Sequence, residues 1–382
     1  MRKVAIIGSG EFQLPLINVA REQGIESHVF SWGGNESAGD YFYQISITEK
    51  EIILDKCKLI GVDGICSIGS DLANITVNYV AHELGLVGNS IECTHITTNK
   101  YLMRQHLKKN NIPVPPFYYL KQHETFIPNS YPVIVKPADR SGSRGITLVE
   151  SKEDIASAVE LAFEESFSKE VLIESFVNGR EFSVESVSYN GVHKILQVTE
   201  KFTTGSPGFI EKGHTCPARI TKHERFLILD VVYKTLNAVN LMYGAAHTEL
   251  KINDDGDVFV IEIGSRMGGD YIGSDLVFYS TGFDFTRAVL AISMGDDFNE
   301  IDFISKDITP KASIVKFIFE EQDLTKCRNV LGQSIGAVIH TDFEKSMLSN
   351  GHEIMSSADR LGHILLVTNM DEQDSTLEML GL

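Results

Sequence analysis

Two glutamates, Glu249 and Glu262, stand on either side of an Asp-Gly pair in "HTELKINDDGDVFVIEIGSRMGGD", residues 247–270. Ala246, Thr248, Leu250 and Ile252 take alternate positions before the pair, and Phe259, Ile261 and Ile263 do so after it. That period of two predicts paired strands with one buried face. With Asp255-Gly256 as a two-residue type I′ loop, Glu249 faces Glu262, His247 faces Gly264, and all four lie opposite the apolar set. Directly opposed Cβ atoms are about 4.5–5.5 Å apart, where bare carboxylates repel by roughly 3 kcal/mol at an effective dielectric of 20. A hard cation between them turns that repulsion into a ligand set, because magnesium takes one or two carboxylates together with phosphate oxygens. The competing reading is an exposed hairpin whose glutamates splay into water, or a loop of three or five residues that shifts the register.

Phosphates would also need cations and backbone N–H groups. "YPVIVKPADRSGSRGITLVE" places Lys136 late on one strand, followed by a loop from Asp139 to Gly145. Ser141, Gly142 and Ser143 suit a loop that closes over phosphates. It is not a Walker loop, since it lacks Gly-Lys-Ser/Thr and leads into a strand. Lys136 either meets a phosphate as a point charge or is a solvated edge residue. In "VLIESFVNGREFSVES", Glu174 and Glu181 flank an Asn-Gly turn. Such a strand end reads adenine through backbone bonds at Ser175 to Val177 and leaves an acid for ribose, or it is one more exposed hairpin. Gly8-Ser9-Gly10 follows a first strand, but the third glycine of a dinucleotide fingerprint is replaced by Gln13. The second strand ends in Ser31-Trp32 without the acid that would hold a ribose. A structural turn is expected there, which disfavours a nicotinamide reductase.

The elements that must position these groups come in blocks. Residues 1–90 alternate short apolar runs ("KVAIIG", "ESHVFSW", "GICSIG") with helical stretches, predicting a small parallel sheet covered on both faces. Lys100 opens a helix, "KYLMRQHLKKNN", and "IPVPPFYYL" follows as an extended linker that its prolines keep from being helical. From 131 to 187 the order is strand, loop, strand, helix, strand, turn, strand: an antiparallel sheet with one helix. A second α+β stretch runs to about 300, with a helix near 284–294. Three apolar runs near the end ("ASIVKFIF", "SIGAVIHT", "HILLVTN") predict a small, mostly β unit. The expected division is 1–97, 98–304 with a mobile lid at about 112–180, and 305–382.

The 382 residues suffice for two or three cores. A formal net charge of −18 without a Lys/Arg cluster argues against nucleic acid and anionic membrane as partners. Five scattered cysteines without a C-x-x-C fit a reducing compartment and supply no zinc site. No stretch approaches the ~18 apolar residues of a membrane span, so the cytoplasm is the expected location.

Taken in order, Lys100, "VIVKP", "DRSGSRG", "IESFVNGREFSVE", "HTELK" and "VIEIGSRMGGD" resemble the ATP-grasp superfamily over roughly residues 98–270. "EKFTTGSPGFIEKGHTCPA" (200–218) is similar to the carboxylate–amine ligase branch that contains L-amino-acid ligases. The resemblance implies a parallel α/β domain before a grasp fold of two α+β subdomains. It also implies an ADP-forming reaction through an acyl phosphate that joins a small carboxylate, such as an amino acid, to an amine. ATP is the implied nucleotide and Mg2+ the implied cofactor, with Mn2+ as a substitute, and homodimers are common among relatives. Lys100 and Lys136 would reach the ATP phosphates under the 139–145 loop. Glu174 would accept from the adenine amine, Phe176 and Val177 would contact the ring through backbone, and Glu181 would hold the ribose. Glu249 and Glu262 would hold the metal. Many relatives carry an Asn ligand two residues later, where this chain has Gly264.

Arg266, just past the second strand, suits bidentate capture of the substrate carboxylate and then of acyl-phosphate charge. A surface salt bridge is its alternative. Gly268 and Gly269 would let backbone amides approach the substrate. Glu211 and His214 would line the amine pocket, with His214 as acceptor of the amine's proton or as a structural histidine. Lys201 is a weaker candidate, and His247 is expected to pack against or orient Glu249. Two other readings stay open: a bicarbonate-using carboxylase acting on a purine precursor, and a non-catalytic ATP-binding protein on a decayed grasp fold.

Overall fold

The computed structural model describes all residues except 37, 141, 143, 207, 334 and 344–355. The chain opens with β1 (Lys3–Ile7), α1 (Leu14–Glu22), β2 (Glu26–Ser31), β3 (Tyr41–Gln44), α2 (Lys50–Ile60), β4 (Gly64–Cys66) and α3 (Asp71–Leu84). Their strands form a parallel sheet in the order β3-β2-β1-β4. Val4, Ile6 and Val29 pack under one face, and Ala5, Ile7, Phe30 and Ile65 under the other. Such two-sided burial is why these strands read as unbroken apolar runs. Gln13, at the missing third glycine, is buried and exchanges hydrogen bonds with the Ile68 backbone, tying the first turn to β4.

Two helices follow, α4 (Ile91–Thr98) and α5 (Lys100–Lys109). Asn99 starts the second, accepting from the N–H groups of Tyr101 and Leu102, a cap that satisfies otherwise orphaned donors. Next come β5 (Phe117–Lys121), β6 (Val133–Pro137), β7 (Thr147–Val149), α6 (Ile155–Glu165) and β8 (Glu170–Ser175). The sheet they form is antiparallel, ordered β5-β8-β6-β7. Part of the expected linker is therefore strand β5. Prolines 113, 115 and 116 exclude helix but lie before the residues that pair with β8.

The third sheet begins with β9 (Arg180–Tyr189), β10 (Val192–Thr203), β11 (Glu211–Cys216), α7 (Lys222–Ala238), β12 (Gly244–Ile252) and β13 (Val258–Gly264). Then come α8 (Val277–Thr281), α9 (Phe285–Ser293), β14 (Ala312–Ile318), α10 (Glu321–Gly332), β15 (Ala337–Phe343), β16 (Gly362–Thr368) and α11 (Gln373–Leu380). All eight strands share one sheet, ordered β13-β12-β9-β10-β11-β14-β16-β15. Two sequence expectations change here. Strand β9 leaves the small sheet for the large one, and the C-terminal strands extend the large sheet instead of closing their own. In both cases main-chain pairing across distant segments decides, through β9 with β12 and β11 with β14. No helix among the described residues is long and apolar enough to cross a membrane.

Candidate active site

The hairpin of β12 and β13 does not turn at Asp255-Gly256. Asn253 accepts the N–H groups of Asp255 (3.1 Å) and Asp257 (2.7 Å) through its side chain, and its backbone N–H bonds the Asp257 carbonyl at 3.0 Å. This closes a three-residue loop, 254–256, in which only Gly256 takes positive φ, 88°. A three-residue loop ending in a left-handed glycine is a standard alternative to the type I′ turn. It shifts the register by one residue, and a β-bulge between Glu249 and Leu250, with Ile261 as the extra residue, shifts it back. Glu249 pairs with Glu262 and His247 with Gly264.

The bulge re-aims side chains, as bulges do. Val258, Val260 and Ile263 face the core beside Ala246, Leu250 and Ile252. Phe259 and Ile261, expected in that buried set, are off it. Ile261 instead lines a cleft between the small and large sheets with Phe176, Val177, Ile134, Ile146 and Phe209.

Ammonium groups meet the facing carboxylates. Lys201 Nζ lies 2.6 Å from Glu249, 3.2 Å from Glu181 and 3.9 Å from Glu211. Burial opposes its charge, but these acids, Glu249 foremost, hold it well above the ordinary lysine range. Burial likewise opposes charge on Glu249, yet Lys201 and His247 hold it well below the carboxylate range. Lys100, at the first position of α5, reaches Glu262 at 2.9 Å and the Arg140 carbonyl at 2.7 Å. The Lys100–Arg140 bond ties the 139–145 loop to the carboxylate pair. Asp139 anchors that loop by accepting from Ser166 and from the N–H groups of Phe167 and Ser168. Gly142 faces the space beside Lys100, while Ser141 and Ser143 lie outside the described residues.

Lys136 and Glu174 form a buried pair at 2.7 Å, and fully buried Arg104 grips the same carboxylate at 2.7 and 3.2 Å. Against burial, the two cations hold Glu174 at about 2, while burial keeps Lys136 below the usual lysine range. Glu174 thus lines the cleft with its oxygens holding Lys136 and Arg104 in place. Ser175 and Phe176 donate their N–H groups to Pro116 and Pro132, because β8 is stitched to both neighbouring linkers as it leaves its sheet. Phe176 offers its ring, tilted against Phe209 at 5.8 Å. The Val177 carbonyl accepts from Lys251 Nζ at 3.4 Å, and Glu181 lines the same cleft 3.6 Å from Lys251.

Beyond the carboxylates, a cavity of about 270 Å3 is lined by Glu211, His214, Arg266, Gly269 and the start of α3. Arg266 is not free. Asp71 holds it at 2.9 and 3.2 Å, and it donates to the Met267 carbonyl at 3.0 Å. Burial opposes its charge, but Asp71 keeps the guanidinium above its usual range. The pair also crowds Gly264, where a Cβ would lie 3.0 Å from Asp71 Oδ1 and 3.2 Å from Arg266 Nε. Gly268 does not present its N–H to the cavity. It donates to buried Glu185 at 2.9 Å, and a Cβ there would meet Glu185 and His247 at 2.7 and 2.8 Å. Gly269 has no such neighbours. His247 bridges Glu185 and Glu249, the latter at 3.2 Å. His214 is fully buried, with Nε2 3.5 Å from Asp270 and Nδ1 without a partner. Burial lowers its pKa, so it is neutral near pH 7. Arg360 grips Asp270 at 2.6 and 2.7 Å.

Sequence reading missed Arg104, Asp71, Glu185, Asp270 and Arg360. Arg104 had a signal, standing four positions after Lys100 on one helix face, and so had Glu185, the last residue of the stretch "IESFVNGREFSVE". Asp270 closes the stretch "VIEIGSRMGGD", while Asp71 and Arg360 had no signal.

Residues 129–275 match the family model described as the ATP-grasp domain. A D-alanine–D-alanine ligase of Flavobacterium psychrophilum is 32% identical over 185 residues, 45% of this chain and 55% of the relative. The chain thus spans about half the length of that relative. The crystal structure of an L-amino acid ligase from Bacillus licheniformis superposes with a TM-score of 0.84 at 22% identity, covering 100% of this chain and 97% of the other. An N5-carboxyaminoimidazole synthetase from Staphylococcus aureus gives 0.72 at 17% identity, with 100% and 98% covered. At such identities the likeness carries the fold.

Proposed function

From the premise that residues 129–275 are an ATP-grasp domain, we propose that the chain is an ATP-dependent, ADP-forming ligase joining a small carboxylate to an amine. One observation carries the reading. Glu249 and Glu262 are opposed in register, with Lys201 and Lys100 on their oxygens, between an apolar cleft and a charged cavity. The opposed carboxylate oxygens fit a hard divalent cation, so Glu249 and Glu262 are the residues that would hold magnesium. When bound, magnesium supplies neutralisation of phosphate charge.

The chain's own residues then do the positioning, which dominates in phosphoryl transfer. The base enters the cleft between Ile261, Phe176 and Phe209, and Lys100 and Lys136 meet the phosphates below the 139–145 loop. We place the moving lid at about 112–180, which carries Lys136 and that loop. A substrate carboxylate oxygen attacks the γ-phosphorus, the bond to the β-phosphate oxygen breaks, and ADP leaves. The amine nitrogen then attacks the acyl carbon, phosphate departs, and neutral His214 takes the amine's proton. Arg266 keeps two of its five N–H groups beyond Asp71 and Met267, and these face the acyl charge. The amine pocket is assigned to Glu211, His214 and Gly269.

The test is a screen of paired amino acids and small carboxylates for ADP release, with mass analysis of the products. Release that needs both a carboxylate and an amine supports the reading. Release that needs bicarbonate points to a carboxylase, and ATP binding without turnover under every pair points to a decayed fold. With a productive pair, Arg266→Ala should leave ATP affinity unchanged and slow ADP release on the order of 100-fold or more. Wild-type release from this variant would refute the role of Arg266.

A further inference from the structure

Away from the carboxylate pair, three side chains from distant segments meet where the first α/β unit touches the edge of the large sheet. Glu11 follows β1, His340 lies on β15 and His363 on β16. One ligand atom from each lies within 4.8 Å of the other two. His340 Nδ1 and His363 Nε2 are 2.7 Å apart, and Tyr271 donates to Glu11 at 2.5 Å while its ring lies 4.5 Å from that of His363.

The placement depends on a second bulge. The pairing Val338 with Leu366 gives way to His340 with Leu365, so Ile339 is an extra residue. In the register before the bulge, Thr341 would oppose His363 and His340 would point to the other face of the sheet. After it, Asp342 opposes His363, and His340, two residues away, shares its face.

We propose that Glu11, His340 and His363 form a binding site for a divalent transition ion of the zinc class, separate from the magnesium site assigned to Glu249 and Glu262. Two imidazoles and one carboxylate are a donor set for zinc or cobalt with one position left for water, whereas magnesium prefers oxygen. Metal–nitrogen bonds of about 2.0–2.1 Å put tetrahedral ligand atoms about 3.3 Å apart. The histidines therefore need to separate by about 0.6 Å. One of the facing nitrogens carries the proton they share. That proton moves to the ring's other nitrogen, so that both rings present a lone pair and neither gains nor loses charge. The ion would cross-link the first unit to β15 and β16. It would also sit beside Tyr271, the neighbour of Asp270, which lines the cavity next to Glu249 and holds Arg360.

The experiment titrates chelator-treated protein with Co2+ in the presence of excess Mg2+ and reads the visible absorption of four-coordinate cobalt, with metal content measured after gel filtration. One Co2+ per chain, competed by Zn2+ and not by Mg2+, is expected. His340→Ala removes an exposed ligand and should weaken binding on the order of tenfold or more. Glu11→Gln should do the same with unchanged circular dichroism, and ATP binding should be retained in both. The proposal is overturned if wild type shows no four-coordinate spectrum under excess Mg2+. It is also overturned if both variants bind Co2+ as tightly as wild type with the same spectrum. Neither readout depends on catalytic turnover, so the ligase reading stands or falls separately.

Discussion

Replacing Glu174 by glutamine tests whether the buried carboxylate organises the phosphate end of the cleft. Its carboxyl is held at about 2 against an ordinary 4.5. At 1.36 kcal/mol per unit, that difference is worth about 3 kcal/mol at neutral pH. Glutamine also leaves Arg104 and Lys136 buried without a counterion, and breaking a buried pair from one side costs about 3–5 kcal/mol. These are two views of one interaction and do not add. The expected loss is about 3–5 kcal/mol, confined to the unit that carries β6 and β8. Because the folded carboxyl is depressed, the stabilisation is complete above about pH 4.5. It disappears as pH falls to about 2, and the gap between wild type and Glu174→Gln should close over that window. Urea unfolding followed by hydrogen exchange in β6 and β8, at pH 7 and pH 3, measures both quantities. A loss below about 1 kcal/mol at pH 7, or a gap that does not shrink in acid, would refute the reasoning. An additional rise in KM for ATP is expected, since Lys136 loses the partner that aims it.

Ile261→Ala should cost little stability but weaken ATP binding about 5- to 30-fold, from about 1–2 kcal/mol of lost apolar contact. Val260→Ala, one residue away on the core side, should lower stability by about 2 kcal/mol with near-normal ATP affinity; equal effects on unfolding midpoints and ATP titrations would contradict the bulge. Gly264→Asn should not restore a tighter magnesium site, because its Cβ meets the Asp71–Arg266 pair at 3.0 and 3.2 Å; Mg2+ titration of nucleotide binding should show equal or weaker dependence and slower ADP release. Burial pushes the thiols of Cys57, Cys66, Cys93, Cys216 and Cys327 up to about 12. Native protein at pH 8 should therefore react slowly with a thiol reagent and take up five equivalents only after unfolding, and a rapid first equivalent would place one thiol at the surface.

Alternation around Glu249 and Glu262, the apolar runs of β1, β2 and β4, and the start of α5 at Lys100 were all legible in the amino acids, because each depends on neighbours within a few residues. The opposed glutamates were read correctly for an incomplete reason. The loop holds three residues where two were expected, and the bulge returns the missing step. No local rule announces a bulge, because the extra residue is set by what the partner strand and the cleft accept. That is also why Ile261 was assigned to the wrong face.

By itself, the sequence determined the alternation of strands and helices in the first unit and the opposition of Glu249 and Glu262. Both follow from periodicity, which acts over one turn of helix or one step of strand. Tertiary structure alone decided that the C-terminal strands continue the large sheet, and which charges are free to meet a substrate. Arg104 with Glu174, Arg266 with Asp71 and Arg360 with Asp270 are separated by 70, 195 and 90 positions. Taking a charge out of water is costly unless a partner meets it, so burial selects these pairs, and burial exists only once distant segments have closed on one another.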